Sequence, residues 1–260
     1  MENIFDMFFT NLLEANLKTK YIVKEIIYYT QTESTTDDVW ELYNESSKID
    51  TLIITDNQIA GKGRNNNRWI SQPNKSITCS FILKDIFKIK EINLYSILIP
   101  VAIINGVKNF LNISLDVKWP NDIMYNNKKV GGVLIESKLN NQISIFNIGI
   151  GLNVNDSEFN FPSSIKDTVT SLKEIKGSPI QREPLLASIL NELDQLINNL
   201  DKSELINYWI NSCNHINKEV LFKFEDKNST GVFMGINDLG QAQIQFNNKI
   251  IEYNNPISII

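Results

Sequence analysis

The sequence predicts an α+β protein, a mixed and largely antiparallel sheet flanked by helices, with a small β-barrel at its C-terminus. Three observations carry that expectation. Short β-branched runs alternate with helical periods in the first half; the stretch from Val117 to Val154 reads as a strand meander; and Lys218 to Ile260 is a series of short strands separated by turns.

Taken in order, residues 1–20 place Ile4, Phe5, Phe8, Leu12 and Leu13 on one stripe of an amphipathic helix. Tyr21 to Thr30 is a β-branched strand. A helix then starts with Ser34 or Thr35 as N-cap and with Asp37 and Asp38 in its first turn, where acids suit the helix dipole. Thr51 to Thr55 is a short buried-strand pattern and Ser76 to Leu83 another. Between them lies a polar, asparagine-rich and basic segment, Asp56 to Asn74, long enough to require a purpose. Leu94 to Leu111 carries a helical period. In the meander, Asp122 to Tyr125 is a strand, Asn126-Asn127 suits a two-residue turn, and Lys128 to Leu139 and Ile143 to Val154 flank a second turn at Asn140-Asn141. Arg182 to Leu200 and Glu204 to Asn211 are helical. The barrel strands are expected at Val220–Phe224, Gly231–Ile236, Ala242–Phe246, Ile250–Tyr253 and Ile257–Ile260, which divides the chain into residues 1–213 and 214–260.

Composition narrows the function. With a formal net charge of −5 over 260 residues, the chain lacks the basic face that general nucleic-acid binding needs. Cys79, Cys213 and the single histidine, His215, do not amount to a disulfide framework, a tetrahedral metal site or a Ser-His-Asp triad. The N-terminus lacks a signal-peptide pattern, and no apolar run approaches the roughly 20 residues of a membrane span, so a cytoplasmic protein with no membrane partner is expected.

Chemistry concentrates in three glycine- and cation-bearing segments. In the first, Gln58 precedes Gly61-Lys62-Gly63-Arg64, followed by Asn67, Arg68 and Trp69. Glycines let a backbone approach an anion while the cations supply charge, and a terminal tryptophan suggests a lid that packs once ligand arrives; a solvated hairpin is the plain alternative. The second is Lys118-Trp119-Pro120-Asn121-Asp122, in which proline holds Trp119 extended; a turn leading into a strand, with Asn121 as cap, explains it equally. The third joins Lys129-Val130-Gly131-Gly132 to Gly149-Ile150-Gly151-Leu152-Asn153. Glycines inside strands mark close approach of a ligand or of another backbone, or a bulge.

As an ordered set these segments resemble the biotin–protein ligase family. The resemblance runs closely from Glu25 to Asn155 and by architecture alone from Arg182 to Ile260. It implies ATP-dependent ligation of biotin to a lysine of a biotin carboxyl carrier protein or carboxylase domain, through a biotinyl-adenylate, with Mg²⁺ accompanying ATP. The protomer is expected as a monomer or homodimer, and no nucleic-acid partner is expected, because residues 1–20 are too short for a DNA-binding domain. By this resemblance biotin is held by Ser34, Thr35, Thr36, Gln58, Gly61, Lys129, Gly131 and Gly132. Thr36 replaces the family's asparagine, and its hydroxyl reaches less far. ATP falls to Lys62, Arg64, Arg68, Trp69, Lys118, Asn121 and Asn153, with Arg68 standing in for a basic residue missing at Asn67. Asp122 is expected to orient metal or the incoming lysine. Lys129 is the central catalytic cation, assisted by Arg64. A carboxylate attacking an anionic phosphate about 4 Å away is repelled by roughly 4 kcal/mol at an effective dielectric near 20, and a fixed ammonium offsets that repulsion. A lipoate–protein ligase working by the same adenylate chemistry is the nearest alternative, and a non-enzymatic regulator the next.

Overall fold

In a computed structural model describing residues 7–84, 92–140, 143–199, 201–225, 227–255 and 257–260, seven strands form the main sheet. They are β1 (Glu25–Tyr29), β2 (Thr51–Thr55), β3 (Ile77–Lys84), β4 (Asp116–Lys118), β5 (Asp122–Tyr125), β6 (Lys128–Asn140) and β7 (Ile143–Leu152), in the spatial order β1-β2-β3-β7-β6-β5-β4. The β1–β2 pair is parallel because helix α2 (Thr35–Ser46) carries the chain across between them; every other pair is antiparallel. Asn126 and Asn127 have φ of 47° and 64°, as the tight β5–β6 turn requires. The second meander turn falls on Asn140 and on Asn141, which lies outside the described residues.

Two layers of apolar side chains cover the sheet. On one face Val39, Trp40 and Tyr43 of α2 pack on Ile53, Ile82 and Ile145. On the other, Leu52, Ile54, Phe81, Phe146 and Ile148 meet helix α3 (Ile92–Leu111), which is backed by α5 (Arg182–Asn199). The alternation of Leu52, Ile53 and Ile54 between faces is the two-residue period of a strand.

Several expectations need correction. Helix α1 covers only Thr10–Asn16. Ile4 and Phe5 lie outside the described residues, and the Phe8 and Phe9 amides are taken by the carboxylates of Asp56 (3.2 Å) and Glu183 (2.9 Å) rather than by helical carbonyls. Helix α3 does reach the length and hydropathy of a membrane span, with 20 residues and a mean hydropathy of 1.5. Its apolar surface is instead consumed between the sheet and α5, since twelve of its residues, Leu94 to Val107 in span, are buried. The short helix α4 (Leu172–Lys176), capped by Ser171 and ended by Gly177 at φ 79°, was not anticipated.

Gly106 marks the α3–α5 crossing: a Cβ there would lie 2.5 Å from the Ile189 Cα. Gly106→Ala should therefore force the two helices apart and cost about 1–3 kcal/mol, read as a lower urea midpoint. An unchanged midpoint would mean that the crossing is loose.

The C-terminal strands β8 (Glu219–Phe224), β9 (Lys227–Ile236), β10 (Ala242–Phe246), β11 (Lys249–Tyr253) and β12 (Ser258–Ile259) follow helix α6 (Lys202–Asn211). They form an open antiparallel sheet ordered β11-β10-β9-β8-β12, not the expected closed barrel. The two-residue β12 pairs with β8 and, among the described residues, does not reach β11. The sheet buries its apolar residues Val220, Phe222, Phe233 and Ile244, and its Gly240 turn packs against helix α3. Gly240, at φ 74°, sits so close to Asn93 and Ile97 of α3 that a Cβ would lie 2.8 Å from the Ile97 side chain. The indole N–H of Trp119 donates to the Gly240 carbonyl at 3.3 Å.

Candidate active site

The strand registers build the floor of a cavity. Thr78 of β3 faces Gly151 of β7, and Ser80 faces Gly149; across β7, Gly151 faces Gly132 and Gly149 faces Leu134 of β6. These residues share one face and, with Leu134 the exception, are small, so the floor is recessed. Walls come from the start of α2, the 58–69 loop and the Lys118–Asp122 turn, enclosing about 230 Å³. At the α2 end the lining is rich in hydroxyls. The Thr35 amide and hydroxyl donate to the Gln58 side-chain oxygen at 2.8 and 3.1 Å, and the Thr35 and Thr36 hydroxyls lie 2.8 and 3.3 Å from that of Ser80. Gln58 thereby serves the first turn of α2, which the Ser34 side chain does not cap.

A second cavity of about 410 Å³ adjoins the first, walled by Met124, Phe161, Ile165 and Val169. Its far wall is held to β6 by hydrogen bonds from the Lys129 amide to Thr168 (2.8 Å) and from the Thr170 amide to Lys129 (2.9 Å). Asn153 lines this cavity while 2% exposed: its amide donates to the Thr170 carbonyl at 3.0 Å, and its side-chain oxygen is buried with no protein partner. Buried acceptors left unpaired are rare, and this one belongs to a residue that lines a ligand-sized cavity.

Both cavities are lined by Arg68, Trp69, Lys118, Asp122 and Lys129. At that junction the Lys129 ammonium pairs with the Asp122 carboxylate at 2.5 Å and rests where a side chain on Gly132 would stand, 3.2 Å from a Cβ there. Arg64 also faces Asp122. Burial pulls its guanidinium below the ordinary range, and the carboxylate works in the opposite direction.

The loop is an ordered hairpin. The Trp69 amide donates to Gly61 (2.9 Å) and the Gly63 amide to Asn67 (2.8 Å), with a single 3-10 turn at Arg64–Asn66. Trp69 lies directly over Gly151, in space a β-carbon would need. Gly151→Ala should expel the ring. If the ring supports the nucleotide base, ATP-analogue binding should fall about 5- to 150-fold, the worth of one base–aromatic stack. Titration of a non-hydrolysable analogue reads this, and parent-like affinity would count against it.

Other expected residues are placed differently. Gly131 and Gly61 do not line either cavity. A Cβ on Gly131 would meet the Gly151 carbonyl at 2.8 Å, and one on Gly61 would meet the Trp69 carbonyl at 2.6 Å, so close backbone packing requires both glycines. Asn121 lines the first cavity, but its side-chain amide donates to the Val133 carbonyl and its own carbonyl accepts from the Val133 amide (3.0 Å), which makes it a clamp on β6. Ser34 is buried outside both linings, its hydroxyl unpartnered. Lys62 lines the first cavity but gives its ammonium to Asp37. Arg68 donates to the Ile59 carbonyl at 2.7 Å.

Thr78 and Ser80 were overlooked in the sequence, although polar residues alternating inside the apolar Ile77–Leu83 run are a readable sign of a lined cavity. Ile257, immediately before β12, also lines the first cavity, and nothing local signals it. Outside the site, the Cys213 sulfur lies 3.1 Å from the His215 Nδ1. Burial pushes the thiol up to about 12 and the imidazole down to about 4, so neither is charged near neutrality and the pair is no activated nucleophile.

Two adjoining cavities meet at a lysine–aspartate pair beside a basic loop. Residues 28–155 match the biotin/lipoate A/B protein ligase family, and the chain belongs to that family through this domain. It is 35% identical over 179 residues to the bifunctional ligase/repressor BirA of Bacillus subtilis, the match covering 68% of this chain and 55% of that protein. It is 29% identical over 218 residues to the human biotin–protein ligase, covering 77% of this chain and 30% of the human one. The chain thus spans about half or less of the length of these relatives. The biotin protein ligase of Aquifex aeolicus, solved with biotin and ATP, superposes with a TM-score of 0.76 at 26% identity, covering 91% of this chain and 99% of that one.

Proposed function

We propose that this protein activates biotin with ATP and transfers the acyl group to a lysine of a biotin carboxyl carrier domain. The observation that carries the reading is the meeting of two differently lined cavities at Lys129. The first, with its hydroxyl-rich end at Thr35, Thr36 and Ser80, suits a compact urea-bearing ring whose acid chain runs over Gly132 toward the ammonium. The second, walled by Met124, Phe161, Ile165 and Val169 and also lined by Asn153, suits a purine, with Trp69 as an aromatic surface. Biotin's carboxylate and the α-phosphate of ATP then meet beside Lys129, where each carries negative charge. The ammonium neutralises both, and Arg64 and Lys118 add positive potential as charge builds on the phosphoryl oxygens.

In the first step a carboxylate oxygen bonds to the α-phosphorus and pyrophosphate departs. In the second, the amine of the carrier lysine, having lost its proton, attacks the acyl carbon and AMP leaves. Asp122 lies where it can draw in the incoming ammonium. No cluster of three or more His, Cys, Asp or Glu side chains suited to a metal occurs among the described residues. That donor set fits Mg²⁺ held chiefly by nucleotide phosphates and water, with Asp122 as its protein carboxylate, where it would neutralise the departing pyrophosphate. The 58–69 hairpin shields a mixed anhydride that water hydrolyses.

Incubation with ATP, Mg²⁺, biotin and a carrier domain, followed by mass measurement, should show the carrier heavier by one biotinyl group. A carrier modified with lipoate and not with biotin would reassign the acid; no modification with either would reject the ligase reading.

A further inference from the structure

We propose that Asp37 is a positioning residue, and that its ion pair with Lys62 is the latch that holds the basic loop over the cavity and sets how long the acyl-adenylate is kept. The inference rests on the adenylate chemistry above and concerns a residue that the cavity linings do not include.

The loop's connections to the rest of the protein change along its length. Up to Ala60 it is fastened to the segment before α2 by backbone bonds, Ile59 to Thr32 at 3.0 Å and Ala60 to Glu33 at 2.8 Å. Beyond that point the backbone bonds turn inward. Lys62 pairs with Arg68, Gly63 with Asn67, and Asn67 with Arg64. The return arm is seated by Trp69 on Gly151. Among the described residues, the attachment that ties the outgoing arm back to α2 is the Lys62 ammonium on the Asp37 carboxylate at 2.5 Å. Two residues later comes Arg64, which lines the first cavity and faces Asp122. Asp37 is itself fixed, in the first turn of α2, where the helix dipole favours a carboxylate. The latch thus joins the α2 wall of the cavity to the arm that carries Arg64.

Its exposure defines its strength. The two side chains are 46% and 52% exposed, so the pair contributes little to overall stability and is screened by salt. A weak contact suits a loop that must open for each substrate and for the carrier lysine.

The test uses Asp37→Asn, Lys62→Met and the exchanged pair Asp37→Lys with Lys62→Asp, each as the full chain. Hydrogen exchange at the Gly63, Asn67 and Trp69 amides reports loop opening without substrate. Release of biotinyl-adenylate after mixing with biotin and ATP reports retention. Both single variants should raise loop exchange and adenylate release about two- to five-fold, the worth of one exposed ion pair. The exchanged pair should restore both, and high ionic strength should bring the parent toward the single variants while leaving them unmoved. Unchanged exchange in the single variants, or an exchanged pair that restores nothing, overturns the latch; faster exchange without faster release overturns its part in retention. A parent that forms no adenylate rejects the activity instead, and the exchange data still decide the latch.

Discussion

Lys129→Ala should lower the rate of adenylate formation by about 10²–10³-fold, measured as pyrophosphate release with biotin and ATP saturating. The lysine stands where both cavities open, and its removal has two consequences of the same sign. The positive charge between carboxylate and phosphate is lost, and Asp122, relieved of its partner at 2.5 Å, adds a second negative charge to the same place. The double variant Lys129→Ala with Asp122→Asn should therefore recover part of the loss. Lys129→Arg should recover little, because the ammonium lies 3.2 Å from a Cβ position on Gly132 and a branched guanidinium has no such slot. Near-parent pyrophosphate release from Lys129→Ala would remove the residue from the chemistry.

The largest effect on stability is expected away from the cavity. The Arg182 guanidinium donates to Asp56 at 2.7 Å and to the Ser76 carbonyl at 3.1 Å, with the two side chains 5% and 2% exposed. Asp56 also accepts from the Tyr28 hydroxyl at 2.5 Å and from the Phe8 amide at 3.2 Å. Burial, with the Asp56 carboxylate second, raises the Tyr28 hydroxyl well above its ordinary range, so it stays protonated as the donor. Arg182→Leu leaves a carboxylate buried without its counter-charge, and a loss of about 3–5 kcal/mol is expected in urea unfolding. Adding Asp56→Asn should return much of it. If Arg182→Leu alone costs less than about 1 kcal/mol, water reaches Asp56 and the pair is not the anchor described. Because Asp56 opens the active-site loop, the same variant should also loosen that loop at its base. At the other end Asp156 holds the Gln72 amide, the Ser76 hydroxyl and the Val154 amide at 3.1, 2.7 and 3.0 Å. Burial raises its carboxyl despite these bonds.

Local pattern determined the element map, because strand and helix periods are properties of neighbouring residues. It also marked the candidate segments, since glycine, cation and tryptophan crowd into a few short runs. Lys129, Arg64, Gln58 and Trp69 lie in those runs, whereas Thr35 and Thr36 were marked as site residues only by the family resemblance; all six line the first cavity. Tertiary structure alone decided what each residue in those runs does. Of the paired glycines, Gly132 makes room for an ammonium while Gly131 makes room for a neighbouring strand, a distinction fixed by the register with β7. Lys62 and Arg64 read alike in sequence, yet one is spent on Asp37 and the other turned toward Asp122, because α2 lies beside the first. Helix α3 satisfies the composition of a membrane span and is instead the core, because α5 and the sheet cover it. The open C-terminal sheet and the reach of Ile257 into the cavity depend on how that sheet docks on α3 and Trp119. Sequence patterns report which residues can share a face; which partner that face meets is set by contacts between residues far apart in the chain, and those exist only once it has folded.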